Sequence, residues 1–119
     1  KLILIKKRII HKKYILFLEN NNNFDICLSP DYSKNNNWLN ILKINNLKRN
    51  NKKKLILNFI KNNIFVRPIW KLNHLQKQFK NCQTYRIKNA IKLHNESICL
   101  PSSYHLKTLD LKRVISILN

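Results

Sequence analysis

Arg67, Trp70 and His74 fall within eight residues of one another and combine an anion-binding guanidinium, an apolar stacking face and a titratable donor. His74 lies in a compact loop just after Arg67-Pro68, where a β-prone run ends, and loops at strand ends commonly carry binding residues. A second reading of the same residues stays open on these grounds alone: Arg67 caps a helix or pairs with a carboxylate, and Trp70 packs in the core.

Other chemistries find little support. The 119 residues contain no glycine, so phosphate cradles built on glycine turns are excluded within the chain. Glu19, Asp25, Asp31, Glu96 and Asp110 are scattered, and no two form a pair suited to acid/base work. His11, His74, His94 and His105 stand at no short metal spacing from another His or Cys, so no metal site is expected. Cys27, Cys82 and Cys99 are odd in number and far apart, which argues against a disulfide framework and fits a reducing, cytoplasmic setting.

Net charge is +19, from 24 Lys and Arg against 5 Asp and Glu, a balance that ordinarily points to a polyanion. Composition weakens that inference. Lys, Asn and Ile number 19, 20 and 17, Met and Gly are absent, and Ala occurs only as Ala90. The abundant residues belong to AT-rich codons and the scarce ones Gly and Ala to GC-rich codons. Lysine also exceeds arginine, the better bidentate phosphate ligand, and the lysines are spread along the whole chain. A small nucleic-acid-binding module that stacks bases on Trp38, Trp70 and the tyrosines is the alternative, as is a decayed, non-functional remnant. Nucleic acid and membrane partners are not expected.

The elements that must position these groups follow from periodicity. Leu2 to Leu18 is a predicted helix with Ile3, Ile10, Tyr14 and Phe17 on one side, stopped by the linker Asn20–Asn23. Asp25 to Leu28 and Trp38 to Ile44 are predicted strands, separated by a polar loop, and Asn45 to Asn51 is a further loop. Leu55, Ile56, Phe59 and Ile60 mark a helix face, with Asn62-Asn63 where a C-terminal cap belongs. Ile64 to Val66 reads as a strand ending at Arg67-Pro68. Arg86 to Ser97 reads as a helix with Ile87, Ala90, Ile91 and His94 on one face, closed by Ile98-Cys99-Leu100-Pro101. Thr108 is the expected N-cap of a last helix with the stripe Leu111, Val114, Ile115 and Leu118. The start at Lys1, inside an apolar helical run without a cap, suggests the C-terminal portion of a larger protein.

Taken in order, Asn37-Trp38-Leu39-Asn40, Asn63-Ile64-Phe65-Val66-Arg67-Pro68-Ile69-Trp70, Phe79-Lys80-Asn81-Cys82 and Leu100-Pro101-Ser102-Ser103 resemble the C-terminal domain of a known family. It is the PLP-dependent nucleotide-sugar aminotransferases of the DegT/DnrJ/EryC1/StrS group. The likeness is greatest to members that aminate UDP-linked 4-keto-6-deoxy sugars on the way to legionaminic-acid-type sugars. Ile5 to Arg8 with Tyr14 resembles the linking helix of that family, and Leu106 to Leu118 its final helix. Where the family usually has glycine, this chain has Asn62-Asn63.

The resemblance implies an α+β fold, a few-stranded sheet with flanking helices, forming the small domain of a fold-type I aminotransferase. Residues 1–23 are then a linking helix and Asn-rich linker, and residues 24–119 the small domain. The implied activity moves an amino group from an amino acid, typically glutamate, to a nucleotide-linked 4-keto-6-deoxy sugar, with pyridoxal phosphate bound mainly by a large domain outside this sequence. That domain also carries the catalytic lysine, so no catalytic or cofactor-binding residue is assigned here. Arg67, Trp70, His74, Asn37 and Trp38 are the implied substrate-binding residues, on one wall of the cleft. A homodimer is the implied assembly of the intact enzyme.

Overall fold

The computed structural model describes residues 1–45 and 49–118. Helix α1 spans Leu2–Leu18, followed by strands β1 (Phe24–Ile26) and β2 (Asn40–Ile44), helix α2 (Arg49–Lys61) and strand β3 (Arg67–Pro68). Two 3-10 turns, Asn73–Leu75 and Lys77–Phe79, precede helix α3 (Lys88–Glu96), strand β4 (Ser97–Leu100) and helix α4 (Thr108–Ile115). The expected α+β class is the observed one. Part of the expected loop 45–51 lies outside the described residues, and α2 already begins at Arg49.

The four strands form one antiparallel sheet in the order β1-β2-β4-β3. Alternation along the strands puts Phe24, Ile26, Leu42, Ile44, Ile98 and Leu100 on the buried side. Ile10, Tyr14 and Leu18 of α1 join that core, as do Leu111, Val114 and Ile115 of α4 and Leu118 just beyond it. The predicted stripe of the last helix is thus buried along its whole length.

Three expectations change. The segment Ile98 to Leu100, read as the close of a helix, belongs to the central strand, which α3 enters without any loop between Glu96 and Ser97. The strand expected over Ile64 to Val66 forms only where it was expected to end, at Arg67 and Pro68. Extending the register Arg67↔Cys99 backward sets Pro101 opposite Phe65, and a proline cannot donate to a ladder. Thr108 is the first residue of α4 rather than its cap. Its hydroxyl accepts from Lys13 Nζ at 2.7 Å, while the Asp110 carboxylate accepts the Lys107 N–H at 2.7 Å in the first turn. Smaller shifts occur in helix faces: Ile60 and Ala90 are exposed although they stand on the predicted apolar faces of α2 and α3.

The cap of α2 behaves as predicted. Asn63 takes the left-handed conformation at φ 57°, its N–H donates to Ile60 C=O at 2.9 Å, and the Ile64 N–H donates to Phe59 C=O at 2.9 Å. This is a Schellman arrangement with asparagine in the glycine position, and Ile64 and Phe59 both enter the core. Asn63→Val should lower stability by about 1–2 kcal/mol because a β-branched side chain clashes in that conformation, whereas Asn63→Gly should not destabilise. Urea unfolding of the two variants checks this, and equal loss in both would show that the cap is unimportant.

Candidate functional site

The loop before β2 is built by its asparagines. Asn35 Oδ1 accepts the Asn37 N–H at 2.8 Å, and Asn36 Oδ1 accepts the Trp38 N–H at 3.0 Å, giving two successive side-chain turns. Asn37 itself is buried with φ 51°, a conformation asparagine tolerates better than most residues. From α1, Lys7 Nζ donates to Trp38 C=O at 3.2 Å. The indole of Trp38 is therefore presented from a fixed backbone while remaining 56% exposed.

Trp70, two residues beyond β3, meets it. The ring centroids lie 5.6 Å apart at an interplanar angle of 70°, an edge-to-face pair. Trp70 is 69% exposed, so the alternative of a core tryptophan falls. An open groove of about 580 Å³ starts at Trp70 and is lined by Lys71, Asn73, Gln76, Lys77 and Gln78. Its wall is braced internally, since Gln76 Nε2 donates to Lys71 C=O at 3.1 Å and Gln78 Nε2 donates to Gln76 Oε1 at 3.0 Å.

The remaining candidates stand apart from the ring pair. Arg67 is exposed on the β3 edge opposite Cys99, and its charge, with that of Lys52, partly offsets the upward push that burial gives the Cys99 thiol. His74 is half-buried within the first 3-10 turn. Among the described residues, neither Arg67 nor His74 reaches Trp38 or Trp70 through a hydrogen bond or a ring contact. The structure thus joins Trp38, with Asn37 behind it, to Trp70, and leaves Arg67 and His74 on neighbouring segments. Among the same residues no cluster of His, Cys, Asp or Glu is gathered for a metal ion, and no helix is long and apolar enough to cross a membrane.

Two residues beyond Trp38, Asn40 starts a part-buried polar network that periodicity did not single out. Ser102 Oγ donates to Leu100 C=O at 3.1 Å and accepts from both the backbone N–H (2.9 Å) and the side-chain amide (3.0 Å) of Asn40. Both Ser102 lone pairs are then used, so Asn40 Oδ1 is turned to His11 Nδ1 at 2.8 Å. His11 must carry its proton on Nδ1 to complete that bond. Lys7 Nζ donates to Ser102 C=O at 2.8 Å, and the Tyr14 hydroxyl donates to Pro101 C=O at 3.0 Å. Burial pushes the Tyr14 pKa upward, so it remains a neutral donor. A signal for the network was present: Asn40 is a polar residue on the buried side of β2, whose other buried residues, Leu42 and Ile44, are apolar.

The groove offers two lysines, three amides and an indole, with no carboxylate in its lining. Such a lining suits an anionic ligand with a flat or ring-shaped part. It is not a pyridoxal phosphate cradle, because an open wall without a carboxylate gives nothing to face a pyridinium nitrogen.

Residues 2–119 match the family model described as the DegT/DnrJ/EryC1/StrS aminotransferase family. The chain belongs to that family. No curated protein matches it. Among solved structures it is similar to PseC of Helicobacter pylori, an aminotransferase involved in the biosynthesis of pseudoaminic acid, with TM-score 0.83 and 16% identity over 97% of this chain and 31% of PseC. It is also similar to Spr1654 of Streptococcus pneumoniae, described as a sugar aminotransferase and solved in its PMP form, with TM-score 0.82 and 16% identity over 97% of this chain and 29% of that one. A DegT DnrJ EryC1 StrS aminotransferase from Brucella abortus gives TM-score 0.81 at 15% identity, over 97% and 30% of the two chains. The chain therefore spans about a third of the length of the aminotransferases whose fold it shares.

A double-mutant cycle on Trp38→Ala and Trp70→Ala should give a coupling of about 0.5–1.5 kcal/mol, the usual worth of an aromatic pair, and strict additivity would show that the contact is not formed. Asn40→Ala should cost about 1–3 kcal/mol by urea unfolding, since it removes a buried amide and leaves its half-buried partners His11 and Ser102 short of a hydrogen bond. A cost as small as that of a surface substitution would remove the network from the account.

Proposed function

We infer that this chain forms the small domain of a pyridoxal-phosphate-dependent sugar aminotransferase and that Trp38 and Trp70 line the substrate side of its cleft. The edge-to-face pair carries the reading: two indoles from separate segments of the family motifs are held together in the open, beside a cationic groove. Exposed paired aromatics cost hydration free energy unless a ligand or partner covers them.

The ligand we propose is a nucleotide-linked 4-keto-6-deoxy sugar of the kind that leads to legionaminic-acid-type sugars. The family match and the order of the motifs support a sugar substrate. The diphosphate of such a ligand calls for cations, which Lys71 and Lys77 supply in the groove and Arg67 supplies on the β3 edge. An indole face stacks on a base or on the apolar face of a sugar ring. Asn37 acts through Trp38, by fixing the backbone that presents it. The half-buried His74 stands in the loop that forms the groove wall and holds or gives a proton at the ligand's edge.

Pyridoxal phosphate, when bound, supplies the electron sink for moving nitrogen from an amino acid to the keto carbon. The residues here bind and orient the sugar and exclude water from one side. Glutamate as donor, a cytoplasmic setting and a homodimer whose two sites share residues complete the proposal.

The test uses the polypeptide that carries this chain together with a domain holding the catalytic lysine. Trp70→Ala and Arg67→Ala should each raise KM for the nucleotide sugar by about tenfold or more while leaving the cofactor absorption band in place. Unchanged kinetics in both variants would reduce these residues to structural ones, and a colourless full-length protein would remove the aminotransferase reading.

A further inference from the structure

Lys7, His11 and Tyr14 stand at i, i+4 and i+7 on α1 and so share one side of the helix. All three are directed to the same two segments. The Lys7 ammonium donates to Trp38 C=O at 3.2 Å and to Ser102 C=O at 2.8 Å, His11 meets Asn40, and the Tyr14 hydroxyl meets Pro101. Lys6 and Arg8 on either side are exposed while Lys7 is half-buried, which sets it apart from lysines that merely decorate the surface.

Trp38 has two anchors of different kinds. Its N–H goes to Asn36 Oδ1 at 3.0 Å, a bond within the loop that travels with the loop. Its C=O goes to Lys7, on another element and 31 residues earlier. The next tie to the frame is two residues on, where the Asn40 N–H donates to Ser102 Oγ at 2.9 Å. Because the same ammonium also holds Ser102 C=O, Lys7 fixes Trp38 against the segment that receives Asn40. Bonds from an ammonium are charge-assisted and stronger than neutral ones. With both polar groups of the Trp38 backbone bound, the two side-chain torsions stay free, and Trp70 packs against the indole at 5.6 Å.

We propose that Lys7 is a positioning residue for the substrate, acting through Trp38 by setting the corner that the two indoles form. Its effect reaches the ligand through the indole and not through its own charge. The proposal rests on the substrate reading of the pair given above.

Two close indoles couple their ultraviolet transitions, and the resulting circular-dichroism couplet reports their separation and angle. In the 119-residue chain the couplet should be present, vanish in Trp70→Ala and be largely lost in Lys7→Met, whose side chain keeps the helix preference of lysine without its donors. Lys12→Met, at an exposed lysine, removes the same charge and should leave it intact. The couplet is read in the native baseline of a urea titration, where a merely stabilising Lys7 would shift the midpoint and spare the couplet. Lys7→Gln, too short to bridge both carbonyls, carries the same expectation and serves if Lys7→Met does not fold. In the polypeptide that also holds the catalytic lysine, Lys7→Met should raise KM for the nucleotide sugar by about threefold or more, with kcat and the cofactor absorption band unchanged. An intact couplet in Lys7→Met, or a rise in KM that Lys12→Met reproduces, would overturn the proposal. So would an unchanged KM in Lys7→Met while Trp38→Ala raises it, an outcome that leaves the substrate reading standing. If Trp38→Ala and Trp70→Ala both leave KM unchanged, the substrate reading itself has failed and the proposal falls with it.

Discussion

The bond between Asn40 and Ser102 is the constraint on which the rest of the site depends. Asn40 is 1% exposed at the start of β2, and its amide joins Ser102 on one side and His11 on the other. One side chain therefore ties the first helix, the second strand and the segment leaving the central strand. A buried amide left without partners is costly, so the three elements hold their mutual positions or the network breaks as a unit. Lys7 and Tyr14 add bonds from α1 to the carbonyls of Trp38, Ser102 and Pro101. The indole of Trp38 inherits its placement from this cluster.

Much of the frame was legible in the residues. The stripe Leu111, Val114, Ile115 and Leu118 has one periodicity and one solution, and Leu2 to Leu18 is bounded by asparagines that favour turns. Asn63 announced a left-handed cap because no glycine was there to supply it. The central strand was not legible. Ser97 to Leu100 is four residues long, follows a helix without a break and ends at a proline, and what makes it a strand is β2, some 57 residues earlier in its register. Short apolar runs carry no period of their own.

The candidate site divides along the same line. Trp38 and Trp70 were singled out from separate segments, and the fold brings them to 5.6 Å. Arg67, Trp70 and His74 are close in sequence, yet β3 pairs Arg67 with Cys99 at the sheet edge, and among the described residues neither Arg67 nor His74 meets an indole through a hydrogen bond or a ring contact. Proximity along a chain does not by itself bring side chains into contact where a strand end intervenes, because successive side chains alternate in direction. The asparagine runs show the converse: Asn35 and Asn36, which look like mutational filler, are the turn acceptors that set Asn37 and Trp38.

The sheet order has a consequence for how such a chain comes to be folded during synthesis. The strand that β2 and β3 both require is β4, and it leaves the ribosome after them. Until residue 100 is free, β2 offers one unpaired edge, β3 has no neighbour, and the apolar residues that β4 covers face solvent. The growing polypeptide therefore waits in an aggregation-prone form from the release of β2 until that of β4, and closure depends on contacts distant in sequence, which form slowly. An excess of like charge along the nascent segment is one physical means of keeping neighbouring copies apart through that interval.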